Sequence, residues 1–205
     1  MDAGGNVVTG RIDNYIIYEE QTPEPDDPGE VVDPEEPEDQ DDADEIDNDD
    51  VTAVTCTYQT HVQNVGWQDW KSDGAMSGTS GKGLRLEGIR IGLEGDEGDL
   101  GLSYATHVQN IGWQEPVNAG EMSGTSGLGL RLEAIQISLT GYDAGLNDVY
   151  YRVHAQNVGW LDWASNGESS GTAGFGYRLE GIEIKVLPKG STAPGSTAKP
   201  FVEAN

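Results

Sequence analysis

The chain has 205 residues, with 37 acidic and 11 basic side chains and a formal net charge of −26. A charge this negative excludes nucleic acid as the default partner, because the protein would replace few counterions of a phosphate backbone, and it disfavours an anionic membrane surface. The single cysteine excludes an internal disulfide and a cysteine-based zinc site, and no apolar run comes near the roughly 18 residues of a membrane-spanning helix, so we expect no membrane insertion.

Two different segments make up the first 50 residues. Residues 1–18 hold a strand-like stretch, NVVTGRIDNYIIY, that is too short to fold alone, and we interpret them as the remnant of a preceding module or as a strand that docks on the downstream domain. Residues 19–50 contain 18 acidic side chains, five prolines and no lysine or arginine. Such a segment buries too little apolar surface to offset the entropy of ordering it, which predicts an acidic, Pro-rich, disordered linker.

The acidic run DDADEIDNDD at the end of this linker is a candidate for calcium binding. It lacks the Gly turn and the terminal Glu of an EF-hand loop, so a solvated spacer is the simpler interpretation. We therefore expect neither a metal ion nor another cofactor.

An internal repeat dominates residues 51–189, which we interpret as one domain. The three copies span residues 58–93, 104–139 and 151–186. Trp67, Trp113 and Trp160 lie 46 and 47 residues apart, and a Glu follows each of them after 20 residues. This constant spacing indicates one structural unit present three times.

The composition of each copy is typical of β-structure, because its glycines would break a helix longer than one turn. In the closing stretch, LRLEGIRIGL in the first copy, the apolar residues change parity at Glu87 and Gly88. This change predicts a β-bulge in every copy. Ala134 stands where the other copies have Gly88 and Gly181, so the bulge should not require a positive φ angle.

A unit of about 46 residues with a few short strands cannot bury its own apolar face. Three units that close around a pseudo-threefold axis can bury it and also remove the free sheet edges. We therefore predict an all-β, pseudo-threefold, β-prism-like domain, with a β-trefoil as the alternative. Behind the repeats, a composition rich in Gly, Ser, Thr and Pro predicts that residues 190–205 form a flexible linker or tail.

The motif HVQNVGW, followed by SGTSG and LRLEGIRI, closely resembles the clostridial hydrophobic repeat with a marked Trp, the ChW repeat. The resemblance covers all three units, about two thirds of the chain. It implies a non-enzymatic protein of a Gram-positive bacterium, secreted or attached to the cell surface, that acts in adhesion or polysaccharide binding beside other modules of a longer polypeptide. The chain departs from its own pattern at Pro116, which replaces Trp70 and Trp163, and at Leu161, which replaces Gln68.

The Trp that marks each repeat has two possible roles. A Trp face is the usual platform for a sugar ring, helped by polar neighbours that bind hydroxyl groups. The alternative, which we favour for this position, is that one Trp per unit fills the core. The candidate ligand-binding residues of the first role are Trp67, Trp113, Trp160, Asn64, Asn110, Asn157, Asp69 and Asp162.

A second Trp, present in two copies, is the better candidate for a surface platform. Trp70 and Trp163 each follow an Asp, and Pro116 replaces them in the second copy. A core position would tolerate that loss poorly. This pattern predicts ligand binding by the first and third copies and not by the second.

The polar residues that recur in every copy have structural interpretations. The three histidines could form a zinc site if they met at the axis, but a structural His with satisfied hydrogen bonds is the simpler reading. The Arg and Glu two residues apart are assigned to ion pairs or backbone capping rather than to glycoside hydrolysis. Cys56 is expected to be a small buried residue. The histidines are His61, His107 and His154, and the pairs are Arg85/Glu87, Arg131/Glu133 and Arg178/Glu180.

The sequence shows no Ser-His-Asp spacing, phosphate loop or metal-ligand cluster, so we expect no catalytic residues and no enzyme activity. The predicted function is an extracellular, non-catalytic module that binds a glycan or another cell-surface ligand in adhesion. The alternative is a structural scaffold that packs against neighbouring domains of a larger surface protein.

Overall fold

Two long antiparallel strands, one at each end of the repeat, form the frame of every copy. The structure, a computed structural model, describes residues 54–95 and 98–204. The first repeat contributes β1 (Thr55–Val62), β2 (Gly66–Trp67), β3 (Lys71–Ser72), β4 (Ser77–Gly78) and β5 (Leu86–Glu94). The second contributes β6 (Gly101–Val108), β7 (Gly112–Trp113), β8 (Val117–Asn118), β9 (Ser123–Gly124) and β10 (Leu132–Thr140). The third contributes β11 (Asn147–Ala155), β12 (Gly159–Trp160), β13 (Ala164–Ser165), β14 (Ser170–Ala173) and β15 (Leu179–Pro188), and β16 (Phe201–Glu203) follows.

The predicted all-β class is confirmed. The described part of the chain contains only these strands and a short 3-10 helix, Tyr142–Leu146, between the second and third repeats. It includes no helix long and apolar enough to cross a bilayer. The predictions for residues 1–18 and 19–50 lie outside the described residues.

The repeats are joined by exchanged strands. In each sheet the long hairpin of one repeat receives a short strand from another: β9 of repeat 2 pairs with β5 of repeat 1, β14 of repeat 3 with β10 of repeat 2, and β4 of repeat 1 with β15 of repeat 3. The exchange of strands is therefore cyclic: repeat 2 donates a strand to repeat 1, repeat 3 donates one to repeat 2, and repeat 1 donates one to repeat 3. Three sheets that share one apolar core correspond to the predicted prism, whereas a trefoil would build one barrel from all three repeats.

One tyrosine per repeat lies at the centre of the core. Tyr58, Tyr104 and Tyr151 are at most 1% exposed. The Tyr104 hydroxyl accepts a hydrogen bond from the Ile91 N–H of repeat 1 at 3.1 Å and donates one to the Glu121 carbonyl of its own repeat. Tyr58 and Tyr151 make the equivalent bonds, so each hydroxyl links two neighbouring repeats. These hydroxyls satisfy backbone groups that would otherwise be buried without partners.

The predicted bulge is confirmed in all three copies. The pairing of β1 with β5 runs from His61–Gly88 to Val62–Leu86 and leaves Glu87 without an opposite residue. Glu133 and Glu180 are skipped in the same way. Gly88 and Gly181 do not have positive φ angles, which agrees with the Ala134 at the same position. The extra residue turns each Glu side chain out of the strand alternation.

The segment behind the repeats differs from the flexible tail that its composition predicts. Phe201–Glu203 form β16, which pairs in parallel with β14. The Pro200 carbonyl accepts a hydrogen bond from the Gly171 N–H at 3.1 Å, and Val202 packs against the core. Phe and Val favour a strand, so this short stretch pairs with the open edge of the sheet, although the residues rich in Gly, Ser, Thr and Pro before it have little strand propensity.

Candidate functional site

A tight turn with an exposed apolar residue at its tip marks the same place in each repeat. The QNVG and QNIG stretches connect β1 to β2, β6 to β7 and β11 to β12. In the first repeat, Asn64 has a φ of 61° and Gly66 one of 87°. Positive φ angles favour Asn and Gly, which gives a structural reason for both residues. The residue between them is exposed in every copy: Val65, Ile111 and Val158.

The marked Trp follows this turn and does not lie in the core. Trp113 is 41% exposed, and Trp67 and Trp160 are half-buried. The core position that we favoured for these three residues is therefore wrong, because the core place is taken by the tyrosines. Each Trp contacts the His of its own repeat edge-on, with ring centroids 5.5 to 5.6 Å apart.

A buried Glu lies behind each His–Trp pair. In the second repeat, Glu133 is 6% exposed and receives two hydrogen-bond contacts from Arg131, with Nε–Oε1 at 2.8 Å and Nη2–Oε1 at 2.8 Å. Its other oxygen lies 3.1 Å from the His107 Nδ1, a close polar contact without the alignment of a full hydrogen bond. The first and third repeats have the same arrangement. The ion-pair interpretation of the Arg and Glu residues is confirmed, and the bulge is what turns the Glu toward both partners.

Each of the three histidines contacts the Glu of its own repeat, and the described residues do not bring the three together in one metal site. Over residues 54–95 and 98–204, no group of three His, Cys, Asp or Glu side chains could hold a metal ion. Each imidazole lies between the Glu and the Trp of its own repeat. Its Nδ1 is buried without a hydrogen-bond partner, so the expectation of a His with satisfied hydrogen bonds is wrong. Cys56 is fully buried, as expected, and burial raises the pKa of its thiol to about 12.

Each site is completed by a glycine loop from another repeat. A Cβ atom at Gly129 would lie 3.2 Å from the Arg85 Nη2, and one at Gly176 would lie 3.0 Å from the Arg131 Nη2. Both glycines also have φ angles near +68°. The residue before the glycine varies from loop to loop: Lys82, Leu128 and Phe175. The three sites therefore have the same His, Trp, Arg and Glu residues and differ in the residue before the loop glycine.

The Trp face is open in one repeat and covered in the other two. The Arg90 guanidinium lies 4.8 Å from the Trp67 ring centre, and the Arg152 guanidinium lies 4.9 Å from that of Trp160. In the second repeat the corresponding cross-strand pair is Ala105 and Gln136, neither of which is cationic. The most accessible of the three rings is therefore that of Trp113, beside Ile111, which is 52% exposed.

The two candidate platforms of the second kind differ in accessibility. Trp70 is 49% exposed, in agreement with a surface position, whereas Trp163 is only 5% exposed. The expectation that Trp163 presents an open face is wrong, because the Arg152 guanidinium lies 4.8 Å from its ring centre and the segment at Gly195 lies against its ring. The backbone N–H of Trp163 also donates to the Ser196 carbonyl at 2.8 Å. Asp162 likewise accepts a hydrogen bond from the Lys199 N–H at 2.9 Å.

The exposed apolar residue at the turn tip was missed by the sequence reasoning. A signal was present: the QNVG and QNIG stretches place an aliphatic residue between Asn and Gly, two residues that favour turns. A residue at the tip of a two-stranded turn cannot reach the core. Together, an exposed aliphatic side chain and the Trp ring form a small apolar surface with polar neighbours, which is suited to binding a ligand.

Comparison with known families found three matches to one repeat, Clostridial hydrophobic W, at residues 61–95, 107–141 and 154–188. Each match contains the His, Trp, Arg and Glu of one site. Comparison with curated proteins and with solved structures found no match. The matched segments cover half of the chain, and their three-fold spacing is that of the structural repeats, so the chain belongs to the Clostridial hydrophobic W family.

Proposed function

We propose that the three-repeat domain is a non-catalytic binding module that recognises carbohydrate or another cell-surface ligand in adhesion. Its proposed location is the outside of a Gram-positive cell, by secretion or surface attachment, as the family resemblance implies. The site of repeat 2 is the proposed main contact, with Trp113 as the platform. This proposal replaces the expectation from the sequence that the first and third copies bind and the second does not, because Arg side chains lie over Trp67 and Trp160.

The observation that carries this proposal is the exposed and oriented ring of Trp113. Glu133 contacts both Arg131 and His107, and the imidazole lies in a T-shaped contact with the indole, with the ring centroids 5.6 Å apart. A ring whose orientation is fixed before binding loses little entropy when a sugar stacks on it. Ile111 extends the apolar surface, and the neighbouring Asn110 amide is exposed to supply hydrogen bonds to hydroxyl groups.

The Arg side chains over Trp67 and Trp160 support three sites that differ in ligand affinity. In these repeats a ligand must share the ring with a guanidinium or displace it, so we expect weaker binding there than at Trp113. Three linked sites of unequal strength would still increase the avidity for a repeating polysaccharide.

A scaffold role is the second candidate, and one observation favours it. The edge of β14 and the face of Trp163 are already covered by residues 195–203 of the same chain. A repeat surface that packs an extended segment could also pack a neighbouring module.

The test is binding of the full chain to a glycan array and to purified Gram-positive wall polysaccharide. We expect Trp113→Ala to weaken binding by at least about tenfold, because a buried aromatic anchor typically contributes 2 kcal/mol or more. Trp70→Ala is the matched control, since the two rings are similarly exposed but the His of repeat 1 contacts Trp67.

Unchanged binding in Trp113→Ala together with a loss in Trp70→Ala would move the platform to Trp70. Absence of binding by the wild-type protein to every glycan would argue against carbohydrate recognition and favour the scaffold. Unfolding curves of both variants establish that each is folded.

A further inference from the structure

The covered edge of the third repeat has an open counterpart elsewhere in the domain. β14 would be the last strand of its sheet if β16 did not pair with it, and the equivalent strands β4 and β9 are the last strands of theirs among the described residues. The segment 196–204 also binds beside Trp163. The backbone N–H of Trp163 donates to the Ser196 carbonyl, and the backbone N–H of Lys199 donates to the Asp162 carboxylate. This acceptor site therefore consists of a strand edge, an Asp and a Trp.

The first repeat has the same Asp and Trp, but a glutamine side chain binds the edge of its last strand, β4. Asp69 and Trp70 correspond to Asp162 and Trp163, and both side chains are exposed. The Gly78 N–H, which corresponds to the Gly171 N–H that binds Pro200, instead donates to the Gln68 Oε1 at 2.6 Å. The Gln68 Nε2 donates in turn to the Gly78 carbonyl at 3.1 Å. The side-chain amide thus occupies the backbone groups that an added strand would use.

A polar network holds this amide in place. The Thr60 hydroxyl lies 3.2 Å from the Gln68 Oε1 and 2.8 Å from the Ser77 hydroxyl. In the third repeat Val153 and Leu161 replace the Thr and the Gln, and the Ser170 hydroxyl is left without a hydrogen-bond partner. The two substitutions occur together, and they coincide with the one edge that carries an added strand among the described residues.

We propose that the first repeat contains a second acceptor site for an extended peptide segment, and that the Gln68 amide keeps it closed. The occupant that fits is a segment with the sequence of residues 196–204, STAKPFVEA, paired in parallel with β4 as β16 is with β14. Its Pro200 carbonyl would replace the Gln68 Oε1 on the Gly78 N–H, and its Ser196 carbonyl would accept from the backbone N–H of Trp70.

The second repeat supplies a matched negative control. Gln114 caps Gly124 as Gln68 caps Gly78, with Gly124 N to Gln114 Oε1 at 2.6 Å. Pro116 stands at the position of Trp70 and has no N–H to donate to the segment. Removing the Gln cap should therefore open the site in the first repeat and not in the second.

The experiment titrates a fluorescent peptide with the sequence of residues 194–204 into three full-length proteins: wild type, Gln68→Leu with Thr60→Val, and Gln114→Leu with Thr106→Val. The first variant is expected to bind at least about tenfold more tightly than the wild type, since it gains main-chain pairing and an aromatic contact. The second variant is expected to bind no better than the wild type. A folded first variant without gain, or an equal gain in both variants, would overturn the proposal. Dimerisation of the first variant through the segment 196–204 of a second copy would support the same site.

A second measurement covers the case in which the first variant does not fold. Leu161→Gln with Val153→Thr rebuilds in the third repeat the polar network of the other two. Hydrogen exchange at the Lys199 and Ala204 amides, which bond to Asp162 and Ala173, should become at least about tenfold faster as the segment is displaced. Exchange at the Ile184 amide, bonded to Tyr58, should stay the same. Retained protection at Lys199 and Ala204 would show that the Gln does not close the edge.

Discussion

Gly124→Ala is expected to lower the free energy of unfolding by about 3–5 kcal/mol, because it places a methyl group at a junction between two repeats. Gly124 has a φ of +103°, and a Cβ atom there would lie 2.5 Å from the Glu87 carbonyl oxygen and 2.8 Å from the Gly88 Cα of repeat 1. These are backbone atoms of the bulged strand, so they cannot move aside as a side chain would. The exchanged strand β9 should detach, and the change is measured by urea unfolding.

Gly112→Ala is the control that separates backbone strain from the clash. Gly112 has a φ of +88° but no atom within 4 Å of its Cβ position. Only the conformational cost should appear, about 1–2 kcal/mol. Equal losses in the two variants would mean that a methyl group at Gly124 meets no steric clash with Glu87 and Gly88, which would contradict the prediction.

High pH is expected to unfold the domain through its three core tyrosines. Burial raises the pKa of Tyr104 from 10.0 to about 12, and it raises the pKa values of Tyr58 and Tyr151 as well. Since the folded state binds these protons more tightly, their stabilising contribution is complete below the unfolded pKa near 10 and is lost as the pH rises toward the folded values. Each tyrosine should remove about 1.4 kcal/mol of unfolding free energy per pH unit in that range.

The pH dependence is checked by urea unfolding at a series of pH values in the wild type and in Tyr104→Phe. The variant should start about 1–3 kcal/mol less stable at neutral pH, because the Ile91 N–H and the Glu121 carbonyl lose their shared partner. It should then lose about one third less stability above the unfolded pKa, as two of three tyrosines remain. Tyr142→Phe is the control, since Tyr142 is 90% exposed. A wild-type stability that stays flat to high pH would contradict the prediction.

Local features of the fold could be predicted from the sequence. The change of parity at Glu87 and Gly88 fixed the position of the bulge, because side chains alternate between sheet faces and a single extra residue reverses the order. Ala134 correctly indicated that no positive φ is needed there. Three equal units also predicted closure, since the apolar face of one unit cannot be buried alone.

Features that depend on distant partners could not be predicted. The exchange of short strands places Gly124 against Glu87, 37 positions away in the sequence. Neither stretch contains a local signal that would identify the other as its pairing partner. The sequence predicts the same exposed position for Trp163 as for Trp70, but the segment around Ser196 covers Trp163. The Leu161 substitution was visible, yet its meaning depends on knowing that Gln68 caps a strand edge.

The candidate site was recognised in part. The repeated Trp and the Arg–Glu pairs were identified as notable, but the preference for a core Trp ignored the fully buried Tyr58, Tyr104 and Tyr151, which recur at the same interval. A repeated aromatic residue is compatible with either a core or a surface place, and only the strand alternation relative to its neighbours distinguishes them.

The most direct test of the Trp113 site is an NMR titration of the indole N–H signals with a polysaccharide that the protein binds. We predict that the Trp113 signal shifts at the lowest ligand concentration, that the Trp67 and Trp160 signals follow at higher concentrations as Arg90 and Arg152 are displaced, and that the Trp70 signal stays in place. A shift of Trp70 alone, with Trp113 unchanged at saturation, would contradict the assignment of the binding surface to the His–Trp sites.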